Sequence, residues 1–384
     1  MKKVVILGST GSIGINTLKV VDQYPDKFKV VGLSAYNNID LLEQQIRKYS
    51  PRYVGVNGEK VVALRKKLGS LKIRVLNAQT DLGYMVSLKA VDVVVIGMSG
   101  SRALAPFMAA IKEGKTIAPA NKEALVIAGD LLMRQAKRHK AQIIPVDSEQ
   151  SAIFQCLQGQ PRKFLKKIYL TASGGVLKDI PQSKFKTLSR EDILLHPRWK
   201  MGMKITVDSA TLMNKGFEVI EALRLFELKT NEIEVVVHPE AIIHSMVGFK
   251  DGSIIAQLGI TDMRLPIQYA MTYPERWPTH LPDVDFFKLK KLNFEKPNLK
   301  KFPSLSLAFH VAKEGGTLPS VLNAADEVAV AAFLDGDIAF TKIYSIIEKI
   351  VRSHKIVRQP DLKEILEADR WAREEVGALA LKAC

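Results

Sequence analysis

Short apolar runs and amphipathic stretches alternate through the first part of the chain. A compact apolar strand is predicted at 3–7, followed at once by Gly8-Ser9-Thr10-Gly11-Ser12-Ile13-Gly14. A helix then runs from about 14 to 24, with Ile15, Leu18 and Val21 on one side. Strands at 28–33, 53–56, 74–76, 90–98 and 116–119 follow, separated by helical patterns at 40–48, 59–67 and from Ser101 to about 113. Ala120-Asn121-Lys122-Glu123-Ala124-Leu125 opens a further helix. Strands alternating with helices imply an α/β domain with a doubly wound, Rossmann-like parallel sheet, whose ligands sit beyond the carboxyl ends of the strands.

After Asp147 the pattern becomes mixed. A strand at 168–171 enters the small-residue loop Ala172-Ser173-Gly174-Gly175, and a helix is expected across Asn214, Lys215 and Glu218. Strands at 234–238 and 253–258 are expected to flank a helix around 240–247 and a turn at Asp251-Gly252. His244, among Ile242, Ile243 and Met246, reads as a packing histidine. Prolines at 274, 278 and 282 mark a boundary, a Lys-rich stretch crosses 283–303, and helical patterns occupy 306–313, 320–334, 340–352 and 362–381. The domains expected are 1–147 (nucleotide binding), 148–282 (α+β, catalysis and dimerisation), 283–304 (linker) and 305–384 (helical bundle).

Composition narrows the function. The net charge of +16 suits a polyanion, a membrane surface or a small phosphorylated substrate. Lys and Arg are spread along the chain and aromatics make up 7%, which argues against nucleic-acid stacking modules and favours a phosphorylated small molecule. No apolar run approaches bilayer length, so no membrane partner is expected. Two cysteines, Cys156 and Cys384, provide neither a disulfide framework nor a thiolate zinc site, as expected of a cytoplasmic protein.

Strand, glycine loop and helix start at 3–14 together form an anion site for a nucleotide, although the spacing is G-x-x-G-x-x-G and not G-x-G-x-x-G. The loop after the second strand, Ser34-Ala35-Tyr36-Asn37-Asn38, has no acid before Asp40, which favours NADP over NAD. It also has no base. Asp147 and Glu149 follow Ile143-Ile144, and at an extended strand end both carboxylates would share a face that suits a hard divalent cation. The competing reading is an acidic loop or a cap, with Ser148 before a helix. Glu218 can add a third carboxylate and Lys215 can fix an anion; the competing reading is the polar side of an amphipathic helix.

These blocks resemble the 1-deoxy-D-xylulose 5-phosphate reductoisomerase family. The likeness runs through the glycine loop at 8–14, Asn121-Lys122-Glu123, residues 146–149, 172–175, 196–202, 207–221 and 256–264. It implies conversion of 1-deoxy-D-xylulose 5-phosphate to 2-C-methyl-D-erythritol 4-phosphate in isoprenoid synthesis, with NADPH and Mg²⁺ or Mn²⁺. It implies that Asp147, Glu149 and Glu218 hold the metal. Lys122, Ser148, Ser173, His196, Ser209, Asn214 and Lys215 would contact substrate, the last four except His196, together with Ser173, near its phosphate. Thr10, Gly11, Ser12, Ile13, Asn38, Asn121, Glu123 and Gly202 would line the NADPH site, with Asn37 a neutral donor to a 2′-phosphate. Trp199 and Met201 would sit on a flap, and a homodimer is implied.

Two departures stand out. Gln150 occupies a position where members often have His, and Tyr36-Asn37 replace a glycine and a basic residue in the ribose loop. Two rivals make different demands: a simple NADP-dependent dehydrogenase needs no metal, and a nucleotide-sensing or polyanion-binding protein turns over no substrate.

Overall fold

The computed structural model describes residues 1–195 and 202–381, so His196, Trp199 and Met201 lie outside the described residues. The chain divides into two compact units.

The first unit comprises Met1–Ala124, Leu132–Ser151 and Asp262–Leu281. Its strands are β1 (Lys2–Leu7), β2 (Phe28–Ser34), β3 (Tyr53–Val56), β4 (Arg74–Asn77), β5 (Val93–Ile96), β6 (Thr116–Pro119) and β7 (Gln142–Ile143). They pair in parallel in the order β4-β3-β2-β1-β5-β6-β7. Val4 to Leu7 and Val93 to Ile96 are buried, which is why both central strands are continuous apolar runs. The order reverses between β1 and β5, leaving a crevice at the carboxyl end of β1. The helix Ser12–Gln23 starts there, and Gly14 lets its first turn close down: a Cβ at that position would lie 2.3 Å from the Ser9 Cα.

The second unit comprises Leu125–Leu131, Ala152–Thr261 and the chain from Pro282 on. Its strands β8 (Leu165–Ala172), β9 (Ile233–Val237), β10 (Ile243–Phe249) and β11 (Ile254–Leu258) form a sheet in the order β11-β10-β8-β9. β8 and β9 are parallel and the other pairs antiparallel. The helix expected around 240–247 is instead β10. Its apolar positions fit either period, but β10 pairs on both sides and is buried on both faces, so sheet pairing overrides the helical spacing. The turn at Asp251-Gly252 closes the β10–β11 hairpin, with the Ser253 hydroxyl donating to Asp251 Oδ1 at 2.6 Å.

The last segment folds as helices Pro303–Glu314, Leu318–Asp335, Lys342–Ser353 and Leu362–Leu381. Ile343, Ile346, Ile347, Ile350 and Val351 give the third a buried stripe at helical spacing. The helix Met213–Leu225 packs tightly on Pro303–Glu314, where a Cβ on Gly216 would meet the Ala308 methyl at 2.5 Å. No described helix is long and apolar enough to cross a membrane.

Candidate active site

In the first unit, the glycine loop is braced from β2 and the helix Ile39–Tyr49. Gly8 N–H donates to Ser34 Oγ at 3.1 Å, and Ser9 exchanges hydrogen bonds with Gln45 at 2.7 and 2.9 Å. Gly11 caps the helix Ser12–Gln23 without a side-chain bond, so Thr10 to Ile13 stand at a helix N-terminus whose amides suit an anion. Asn38 Oδ1 caps the next helix, accepting from Leu41 N–H at 3.1 Å. Asp40, the first acid after β2, is ion-paired with Lys67 at 2.9 Å.

Asn121 sits at the start of the helix Lys122–His139, where its side chain accepts from Ala124 N–H at 2.8 Å. Its Nδ2 donates to the carbonyls of Met98 (2.8 Å) and Gly100 (3.3 Å), tying down the loop after β5. Glu123 lies in the first turn of the same helix.

Asp147 and Glu149 do not alternate along a strand. β7 ends at Ile143 and a helix occupies Ser148–Cys156, so Asp147 immediately precedes a helix and Glu149 lies in its first turn. Asp147 Oδ1 accepts from Glu149 N–H at 3.2 Å, a capping geometry that local hydrogen bonding favours over continued extension. Ser148 Oγ donates to Glu149 Oε2 at 2.7 Å. Lys122 Nζ reaches Asp147 Oδ2 at 2.7 Å with both side chains under a tenth exposed. Gln150 is wholly buried.

In the second unit, β8 delivers Ser173 into a loop where Gly174 and Gly175 take φ of +89° and +69°. A Cβ on Gly175 would lie 2.4 Å from the Ser209 carbonyl oxygen, so only glycine lets this loop pack against the helix Met203–Thr211. That helix is capped by Gly202 and carries Ser209, which is buried. Leu212, at φ +59°, turns the chain into the helix Met213–Leu225. There Asn214 Nδ2 donates to Glu218 Oε1 at 2.6 Å, and Lys215 forms an ion pair with Glu218 Oε2. All of Glu218 and Lys215 but a few per cent is buried. His244, also buried, has its pKa lowered to about 4 by desolvation, with the positive charge of Lys215 adding to the effect.

Two features escape a reading of the sequence. Lys204 Nζ lies 2.6 Å from both Asp208 Oδ2 and Asp326 Oδ2 and 4.7 Å from the centre of the Phe217 ring, tying the Ser209 helix to Leu318–Asp335. Burial pushes the Asp326 carboxyl above the usual carboxylate range, against the pull of Lys204. In the first unit, the Arg102 guanidinium lies 4.2 Å from the centre of the Tyr36 ring. Both arrangements join residues far apart in the chain.

Three family profiles match: 1-deoxy-D-xylulose 5-phosphate reductoisomerase over residues 4–129, its C-terminal domain over 143–226, and the DXP reductoisomerase C-terminal domain over 258–375. The 1-deoxy-D-xylulose 5-phosphate reductoisomerase of Thermodesulfovibrio yellowstonii is 49% identical over 375 residues, spanning 97% of this chain and 98% of the relative. The chain belongs to the 1-deoxy-D-xylulose 5-phosphate reductoisomerase family.

The protein of the same name from Heliobacterium modesticaldum is 50% identical, with 98% of each chain covered. Among solved structures of the reductoisomerase, one in complex with NADPH, fosmidomycin and magnesium aligns with a TM-score of 0.95 at 37% identity, covering 99% of this chain and 98% of that one. The Zymomonas mobilis reductoisomerase in complex with NADPH gives a TM-score of 0.92 at 37% identity, with 99% of each covered. These likenesses carry the sheet order, the second sheet and the helical C-terminal segment together.

Proposed function

We propose that this chain converts 1-deoxy-D-xylulose 5-phosphate to 2-C-methyl-D-erythritol 4-phosphate, an isomerisation coupled to reduction by NADPH, with Asp147, Glu149 and Glu218 holding Mg²⁺ or Mn²⁺. The reading rests on family membership along nearly the whole chain. Asp147 and Glu149 stand at the start of the helix Ser148–Cys156 and Glu218 on the helix Met213–Leu225, at the positions to which the family likeness assigns the metal. Their oxygen-only chemistry fits a hard cation better than zinc. Asp147 is paired with Lys122, and Glu218 with Lys215 and Asn214. Such partners keep a buried carboxylate charged, as a metal ligand must be.

A divalent cation bound there would supply Lewis-acid stabilisation for negative charge on neighbouring substrate oxygens. NADPH on the glycine loop would supply the hydride. The chain's own residues would do the positioning. Thr10 to Ile13 would offer helix N-terminal amides to the dinucleotide phosphates. Ser173, Ser209, Asn214 and Lys215 would bind the substrate phosphate, with hydroxyls, an amide and a cation as donors, and Lys122 and Ser148 would contact the carbon backbone. Binding the phosphate away from the reacting carbons supplies energy for orientation. His196, Trp199 and Met201 keep their proposed roles as substrate contact and cover.

A homodimer belongs to the same reading. β11 is an edge strand with Ile254 54% and Ile255 39% exposed, an apolar edge that a second copy would cover. We place the protein in the cytoplasm, in keeping with a sequence of only two cysteines, Cys156 and Cys384.

The test is NADPH oxidation on addition of 1-deoxy-D-xylulose 5-phosphate, followed by absorbance. Consumption should require the phosphorylated ketose, stop in chelator and return with Mg²⁺ or Mn²⁺. Undiminished turnover in chelator would instead favour a metal-independent dehydrogenase.

A further inference from the structure

A dinucleotide bearing a 2′-phosphate needs a cation where the second strand of the sheet ends, because that is where the adenosine ribose lies. The loop after β2 supplies none: Ala35, Tyr36, Asn37 and Asn38 are all uncharged. The nearest acid, Asp40, is turned to Lys67. The missing charge comes from another strand. β1 pairs with β2 on one side and β5 on the other, so the loops after β2 and β5 flank the glycine loop. Arg102, on the short turn Ser101–Ala103 after β5, lays its guanidinium over the Tyr36 ring at 4.2 Å.

Both partners are held from behind. The Tyr36 carbonyl accepts from Asn57 N–H at 3.2 Å, and its hydroxyl accepts from Gln79 Nε2 at 3.4 Å. The β5 loop turns at Gly100 with φ +77°, and Asn121 clamps it through the carbonyls of Met98 and Gly100. Arg102 itself is exposed, and among the described residues it has no carboxylate partner. A guanidinium stacked on an aromatic ring is ordered while its edge donors stay available, and those donors match a phosphate in two-point fashion.

We propose that Arg102 binds the 2′-phosphate of NADPH and sets the preference for NADPH over NADH, with Tyr36 as the positioning residue that holds it. The proposal rests on the reading that this chain binds NADPH through the first unit. Asn37 adds a neutral donor beside it, and Asn121 contributes by fixing the loop that displays Arg102.

The test is equilibrium binding of NADPH and of NADH to the full chain, followed by cofactor fluorescence. Wild type should bind NADPH more tightly. Arg102→Leu should weaken NADPH by about 10- to 100-fold, the loss expected for a hydrogen-bonded charge pair, and leave NADH within about twofold. Tyr36→Phe should keep the preference and Tyr36→Ala should lose part of it. Asn37→Lys placed on Arg102→Leu should restore NADPH binding, which shows that the variant is folded. If wild type prefers NADPH and Arg102→Leu keeps that preference, or weakens both cofactors equally, the inference fails alone. A wild type that binds neither dinucleotide overturns it together with the functional reading.

Discussion

The ammonium of Lys122 lies 2.7 Å from the carboxylate of Asp147, with only 8% and 9% of the two side chains exposed. One residue opens a helix and the other precedes one, so the pair joins two helix starts of the first unit. Removing one partner of a buried pair of this kind is costly, because the other charge loses a close counter-charge.

Asp147→Asn is therefore expected to do two separable things. It should cost about 3 kcal/mol of stability by removing the carboxylate charge 2.7 Å from the buried Lys122 ammonium. It should also remove a metal ligand. Urea denaturation reads the first effect. Adding Lys122→Met to Asp147→Asn should recover much of the lost stability while turnover stays absent. A double variant as unstable as Asp147→Asn would argue against the pairing as the cause.

Gly175→Ala should strain the loop that bears Ser173. The residue sits at φ +69°, and the added methyl would meet the Ser209 carbonyl. The expected cost is about 1 kcal/mol or more. Because both serines are proposed phosphate contacts, KM for the phosphorylated ketose should rise while NADPH affinity is unchanged. Normal KM with normal stability would show that the loop tolerates a side chain there.

His244 gives the chain an acid-sensitive group. Its folded pKa of about 4 lies below the ordinary 6.5, so the unfolded chain takes up its proton first as pH falls. The contribution is complete above about pH 6.5, declines as pH drops toward 4 and is lost below that, amounting to about 3 kcal/mol at most. His244→Gln should flatten this part of the stability-against-pH curve, as measured by urea denaturation at a series of pH values. An unchanged slope would assign the acid sensitivity to other groups.

Much of this was legible in the chain itself. The alternation of strands and helices, the glycine loop, the Asp251-Gly252 turn and the four C-terminal helices are local patterns, and they fold as read. The sequence of β10 reads as a helix because Ile242, Ile243, Met246 and Val247 satisfy either period, and pairing with β8 and β11 is invisible locally. The apolar run before Asp147 and Glu149 suggests a strand end, whereas capping by Asp147 starts a helix. Lys204 and Asp208 stand at i,i+4 on one helix, but Arg102 over Tyr36 and Lys204 against Asp326 depend on tertiary placement, which no spacing in the sequence encodes.

On the proposed reading, Asp147, Glu149 and Glu218 hold one divalent cation essential to turnover. Mn²⁺ binding to wild type and Glu218→Gln, measured by paramagnetic resonance alongside NADPH affinity, tests it most directly. Wild type should bind one Mn²⁺; Glu218→Gln should bind it about a hundredfold more weakly and lose turnover, with NADPH affinity preserved. Equal Mn²⁺ affinity and turnover in the two proteins would contradict the account.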